Sequence, residues 1–154
     1  MPNNEEIERE LSAYREIYQR DEHVARTRDL RRAALQSMRL LGTFRPYLAG
    51  PVFKGTAGRY AEIDLLLFTE SDKDVEIFLL NQGIEFEPGV GHYYAGDQER
   101  VVSVLSVGME QLTIRVAIFP AVDERQVLRY SAMGRPIERG NFDAVVALLE
   151  ESAS

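Results

Sequence analysis

The chain has 154 residues, 45% of them hydrophobic and 28% charged, so it is long enough for one domain with a substantial core. Its formal net charge of -7 argues against a protein that coats nucleic acid non-specifically. Cysteine is absent and no apolar run has the length of a membrane span, so we expect no disulfide, no thiolate metal site, no membrane partner and a cytoplasmic location.

Two helices are predicted before the first strand. The first covers residues 5–20, because Ile7, Leu11, Tyr14 and Tyr18 recur at helical spacing on one face. The second covers residues 21–41, and its apolar stripe predicts these buried positions: Leu30, Ala34, Met38 and Leu41. The exposed face of this second helix is rich in arginine. It is either a phosphate- or RNA-binding surface or an ordinary solvated face paired with nearby acids.

The remaining elements follow from alternation and turn residues. We predict strands at 47–52 and 61–68 around a glycine-rich turn, then a helix that starts after Ser71 and ends before Gly83. A short strand at 84–87 precedes a turn at 88–91, and strands at 101–107 and 111–119 form an antiparallel hairpin. A short helix at 123–130 and a final helix at 141–150 complete the chain. The expectation is a single domain, with helices in residues 1–41 and a mixed-sheet core with a C-terminal helix in residues 42–154.

Glu62 and Asp64 form the most informative pair of side chains. They are two positions apart at the start of the second predicted strand, so both carboxylates leave the same face. Two adjacent acids repel each other, and burial raises their pKa, unless a cation lies between them. Mg²⁺ prefers oxygen ligands of this kind, usually shared with substrate phosphates. The alternative is a polar pair at a strand entrance with no ligand.

The segment 45–68 resembles the signature of the nucleotidyltransferase (polymerase-beta-like) superfamily. In that signature a hydrophobic residue and Gly-Gly or Gly-Ser are followed by a spacer and an acid–hydrophobic–acid–hydrophobic tetrad. Ala49-Gly50-Pro51 matches the first part, with proline in place of serine. Glu62-Ile63-Asp64-Leu65 matches the tetrad, with glutamate in place of aspartate. The resemblance implies an α+β fold in which helices flank a mixed sheet, with Glu62 and Asp64 as catalytic residues that hold Mg²⁺.

The resemblance also implies a third carboxylate from a later strand, which here would be the strand at 111–119. That strand contains no acid. Its residues Thr113, Arg115 and Ala117 share one face, so Arg115 is predicted to lie nearest the acid pair and to stand in for the third acid. A guanidinium in that place would displace a cation electrostatically. Glu110, at the hairpin turn, is the other candidate for a third acid.

The turn between the two strands is the predicted place for a nucleoside triphosphate. Its nucleotide-binding candidates are Gly50, Pro51, Lys54, Gly55, Thr56 and Arg59. Glycines bring backbone N–H groups close to phosphates, and the polar side chains in such a turn meet phosphate oxygens. The alternative is a surface loop whose glycines only form the bend.

Two functions remain open from the sequence. One is Mg²⁺-dependent transfer of a nucleoside monophosphate to a hydroxyl of a small molecule, a protein or an RNA end. The other is a catalytically inactive module of the same fold, which senses a nucleotide or binds a protein partner. His23 and His92 are far apart in the sequence and have no evident second ligand or nucleophile, so neither is assigned a catalytic role.

Overall fold

A computed structural model describes residues 4–58 and 61–153 as an α+β domain. Its helices are α1 (Asn4–Leu40), α2 (Gly50–Lys54), α3 (Asp72–Asn81) and α4 (Phe142–Ala153), with 3₁₀ turns at Gly42–Phe44 and Ala121–Arg125. Its strands are β1 (Tyr47–Ala49), β2 (Ile63–Phe68), β3 (Phe86–Ala95), β4 (Gln98–Met109), β5 (Leu112–Phe119), β6 (Leu128–Arg129) and β7 (Arg139–Gly140). Within the described residues, no helix is both long and apolar enough to cross a membrane.

The structure has one long helix in the N-terminal region where two were predicted. α1 runs without interruption for 37 residues, which corresponds to about 55 Å of helix. The division expected near residue 20 was wrong because neither glycine nor proline occurs between residues 4 and 41 to end the first helix. Only the second half of α1 packs on the domain, through the predicted positions Leu30, Ala34 and Met38.

The seven strands form one mixed sheet in the order β6-β3-β4-β5-β2-β1-β7. The two strands on either side of the glycine-rich turn, β1 and β2, are antiparallel neighbours as predicted, with Ala49 opposite Asp64. β2 and β5 are parallel, and the hairpin of β4 and β5 is antiparallel as predicted. β2 therefore lies between the strand that leads into the turn and the strand that carries Arg115.

The sheet is curled, so its two faces have different neighbours. One face packs against α1, α3 and α4, with residues such as Ile63, Leu65 and Val116 in that core. The concave face has its own aromatic core, in which the Phe68 and Phe119 rings stack at 5.6 Å. The segment that connects β6 to β7 joins the two sheet edges, because the Ile137 N–H donates to the Leu128 carbonyl at 2.7 Å.

Several predicted boundaries differ from the structure. The strand expected at 47–52 ends at Ala49, because Gly50 takes a left-handed φ of 71° and proline then occupies the first turn of α2. The turn expected at 88–91 lies inside β3. This part of β3 pairs with β4 but not with β6, so it forms an open edge where a proline is tolerated. The helix expected at 123–130 is reduced to one 3₁₀ turn followed by β6.

Candidate functional site

The turn after β1 brings the backbone against a carboxylate. A Cβ built on Gly50 would lie 2.5 Å from the Asp64 Oδ2 atom, which is too close for any real side chain. The left-handed φ of Gly50 is also the conformation that glycine adopts most easily. Gly50 is therefore the residue that lets the chain turn sharply beside the acid of β2.

Two side chains of α1 hold this turn in place. The Arg31 guanidinium donates from Nε to the Val52 carbonyl at 3.0 Å and from Nη2 to the Phe53 carbonyl at 2.8 Å. The His23 ring donates from Nε2 to the Gly55 carbonyl at 3.0 Å. These bonds satisfy carbonyls at the C-terminal end of α2, where a short helix leaves acceptors without partners. Arg31 is therefore a structural anchor of the turn, while Arg32 makes an exposed ion pair with Asp29.

Arg115 lies where the sequence predicted it, next to both acids. It is the register partner of Asp64 on the parallel neighbour β5. Its Nε atom is 3.6 Å from the Glu62 Oε2 atom, and both side chains are about half-exposed. Ile63, between the two acids, points into the core on the helix-covered face, so strand alternation directs Glu62 and Asp64 to the opposite face. The Arg115 guanidinium therefore lies on the same face as the Glu62 and Asp64 carboxylates, at one end of the concave face.

The electrostatics around Asp64 extend to two tyrosines. Burial raises the pKa of Asp64, Arg115 lowers it in part, and the nearby Glu62 raises it further. Burial raises the pKa of Tyr93 to about 12, and burial together with Asp64 raises the pKa of Tyr130. The Tyr93 and Tyr130 rings lie 5.6 Å apart. Asp64 therefore interacts electrostatically with two tyrosines as well as with Arg115.

A cleft of about 320 Å³ adjoins this cluster. Its lining residues are Gly50, Pro51, Lys54, Thr56, Tyr130, Gly134, Arg135, Pro136, Ile137 and Glu138. One wall is the predicted turn, and the other is the segment that connects β6 to β7. The volume is within the range of pockets that hold small ligands, about 300–1,000 Å³. The cleft will be called the turn cleft.

The predicted nucleotide-binding residues divide into three groups. Gly50, Pro51, Lys54 and Thr56 line the turn cleft. Gly55 lies on the side of the turn that faces α1, where its carbonyl meets His23. Arg59 lies outside the described residues. One side of the turn thus lines the turn cleft, and the other side bonds to α1.

The described residues supply two acids at the expected magnesium site, Glu62 and Asp64, and no third acid beside them. In residues 4–58 and 61–153, no group of three or more His, Cys, Asp or Glu side chains could hold a metal ion. The β5 residue opposite Ile63 is Ile114, so Glu110, four positions earlier, lies beyond the end of β2 and cannot serve as a third acid beside Asp64. Arg115 occupies the neighbouring position with a fixed positive charge, which opposes a cation there.

The opposite wall of the turn cleft was missed in the sequence. Tyr130, Arg135, Ile137 and Glu138 are far from Gly50 in the chain. The segment that carries them leads into β7, and β7 pairs with β1, with Arg139 opposite Ala49, so the segment ends beside the turn. The Gly134-Arg135-Pro136 segment does mark an irregular connection. No local pattern, however, places that connection over the acid pair.

Comparison with known proteins yields no relative for this chain. No protein-family model, no curated protein and no solved structure matches it. The resemblance of the 45–68 segment to a nucleotidyltransferase signature therefore stays a resemblance, and the function is argued from the site.

Proposed function

We propose that this domain binds a nucleotide in the turn cleft without the help of a metal ion, as a binding module that resembles the nucleotidyltransferases but does not transfer nucleotides. The observation that carries the proposal is the position of Arg115, opposite Asp64 and 3.6 Å from Glu62. In this arrangement the charge that a metal would bring to the acid pair comes from a side chain.

The walls of the turn cleft match the two ends of a nucleotide. Lys54 and Arg135 bring positive charge and Thr56 a hydroxyl, which are the groups that meet phosphate oxygens. Tyr130 and Ile137 offer an aromatic and an aliphatic surface of the kind on which a base stacks. The exposed Glu138 accepts hydrogen bonds, as a base amino group or a ribose hydroxyl requires.

The Arg115–Glu62 ion pair is weak enough to be broken when a ligand binds. Both side chains are about half-exposed, and exposed ion pairs contribute only about 0–1 kcal/mol. A phosphate group bound beside Gly50 adds negative charge next to Asp64, and such a charge attracts the weakly paired Arg115 guanidinium away from Glu62. That change in pairing is the proposed basis of nucleotide sensing.

The test is a thermal-shift titration with each of the four ribonucleoside triphosphates, in buffer with EDTA and in buffer with Mg²⁺. A ligand that binds only the folded protein raises the melting temperature by mass action. We expect at least one triphosphate to raise it equally in both buffers. The Lys54→Ala and Arg135→Ala variants should lose most of the rise, whereas Lys73→Ala, an exposed lysine on α3, should keep it.

Two results would count against the proposal. If none of the triphosphates changes the melting curve at millimolar concentration, nucleotide binding is wrong and the protein-interaction module takes its place. If the rise requires Mg²⁺, the metal-independent part is wrong. In that case the transfer enzyme becomes the better explanation.

Mg²⁺-dependent nucleotidyl transfer remains the second candidate, and one observation favours it. Gly50 brings the turn into contact with Asp64, so a phosphate on the turn would lie next to a carboxylate that the resemblance assigns to catalysis. Incubation of the protein with Mg²⁺ and radiolabelled triphosphates would detect labelled protein or released pyrophosphate. Loss of that signal in Asp64→Asn would support transfer.

A further inference from the structure

The first half of α1 carries an apolar stripe that nothing in the domain covers. All residues from 4 to 22 are exposed. Ile7, Leu11, Tyr14 and Tyr18 have exposed fractions between 43% and 69%. A helical segment of this length gains little stability from propensity alone and depends on packing of an apolar face. An exposed stripe of four large apolar residues therefore indicates a surface that binds a partner.

The stripe points away from the protein's own sheet. α1 packs on the domain through residues such as Ala34. Tyr14 and Ala34 are 20 positions apart (34 − 14), which at about 100° per residue places their side chains about 160° from each other around the helix. The sheet and helices in the described residues therefore lie on the other side of α1 from the stripe.

The spacing of the apolar residues in the stripe indicates that its binding partner is another helix. Steps of four, three and four residues separate Ile7, Leu11, Tyr14 and Tyr18, which is the seam of a two-stranded coiled coil. We propose that a second copy of this chain covers the stripe, with the two α1 overhangs packed antiparallel about a twofold axis between Ser12 and Ala13. Ile7 then lies opposite Tyr18 of the second copy, and Leu11 lies opposite Tyr14 of the second copy.

The charges beside the seam fit a second copy in this orientation. Glu8 and Arg15 occupy equivalent positions, each directly after a seam residue. Equivalent flanking positions meet across an antiparallel pair, so each Glu8 faces an Arg15, and symmetry makes two such pairs. The next seam positions, Asn4 and Asp21, also meet each other. A parallel pair would instead bring Asp21 against Asp21, which is repulsive.

The overhang has the right length for this arrangement. His23 bonds to the rest of the domain through the Gly55 carbonyl, and residues 4–22 before it are all exposed. Residues 4–22 extend about 28 Å beyond that point. An antiparallel overlap of residues 4–21 therefore uses the whole overhang and leaves the two domains at opposite ends of the paired helices, where they do not collide.

Sedimentation equilibrium tests the association. We expect the protein to dimerise as its concentration rises, and the double variant Leu11→Glu/Tyr14→Glu to remain monomeric with an unchanged core, because both side chains are exposed in the monomer. Leu80→Glu removes a similarly exposed apolar side chain of α3 and should dimerise normally. A wild-type protein that is monomeric at ~0.5 mM, or dimerisation that survives the double variant, would overturn the proposal.

Single-cysteine variants test the orientation, because the natural chain has no cysteine. On mild oxidation, a mixture of the Ile7→Cys and Tyr18→Cys proteins should form disulfide-linked heterodimers, and neither protein alone should form linked homodimers. Homodimers of the Ile7→Cys protein alone would indicate a parallel pair and overturn the antiparallel assignment. In addition, Glu8→Arg should weaken the dimer about tenfold, and Arg15→Glu in the same chain should restore it.

Discussion

Arg115 stands directly opposite Asp64 on the neighbouring parallel strand, at the position from which a third acid was expected. The same guanidinium lies 3.6 Å from Glu62 and lowers the pKa of Asp64 electrostatically. The proposed binding module and the metal-dependent enzyme differ in what they predict for this residue. It also makes the acid pair a site whose metal affinity one substitution should change.

Replacement of Arg115 should create a response to Mg²⁺. In Arg115→Ala, two carboxylates remain near each other without a cation, so the unfolding free energy in EDTA should fall, by no more than about 1 kcal/mol for a half-exposed pair. Millimolar Mg²⁺ should then raise the melting temperature of the variant but not of the wild type. Arg115→Lys, which keeps the charge, should behave as the wild type. A strong Mg²⁺ response of the wild-type protein would contradict this prediction.

Asp64 should make stability fall as pH rises. Burial raises its pKa in the folded protein above the ordinary value of 3.8, so the folded protein keeps this proton to a higher pH than the unfolded chain. Between the two pKa values the native state binds more protons, and the unfolding free energy decreases with increasing pH. Asp64→Asn removes the free-energy cost of ionising this buried carboxyl group. The variant should be more stable than the wild type at neutral pH, and the difference should shrink as the pH falls through the raised pKa towards 3.8.

Urea denaturation at a series of pH values measures that difference. Asp97→Asn, in the exposed turn between β3 and β4, is the matched control and should show no comparable gain. A wild type that is more stable than Asp64→Asn at neutral pH would mean that the attraction of Arg115 outweighs burial.

Gly50 should not tolerate a side chain. In Gly50→Ala the new methyl group meets the Asp64 carboxylate, and the φ of 71° is unfavourable for any residue with a Cβ. We expect a loss of about 2 kcal/mol or more in chemical denaturation. Gly58→Ala is the control, because no atom lies within 4 Å of a Cβ there and no positive φ is involved. Asp64→Ala should recover part of the Gly50→Ala loss, and full additivity of the two changes would show that the clash is absent.

The acid pair and Arg115 were predictable because a strand alternates with a period of two. Once β2 and β5 were identified, the faces of Asp64 and Arg115 followed, and the sheet register agrees. The break expected in α1 was wrong because the direction of an apolar stripe does not by itself show where a helix ends. The apolar stripes at the two ends of α1 face in different directions, a pattern also typical of two helices, although no helix-breaking residue separates them.

The turn cleft could be predicted only on one side. Gly50, Lys54 and Thr56 belong to one local motif, and local motifs are visible in a sequence. Tyr130 and Arg135 belong to the segment between β6 and β7, which reaches the cleft because β7 pairs with β1, a strand distant in the sequence. A short irregular segment carries no periodic signal from which such a position could be read.

A second ion pair, far more buried than the one at Arg115, should dominate the electrostatic stability of the domain. Asp123 is only 1% exposed, and Arg100 holds it with two bonds, from Nε to Oδ2 at 2.9 Å and from Nη2 to Oδ1 at 3.2 Å. Removal of one partner of a buried pair leaves an uncompensated charge, which costs much more than the pair itself contributes. Arg100→Ala should therefore lower the melting temperature several times more than Arg32→Ala, which breaks the exposed Arg32–Asp29 pair. Arg100→Ala/Asp123→Asn should recover much of the loss, because the buried charge is gone. Equal melting temperatures of the two single variants would show that Asp123 does not depend on Arg100.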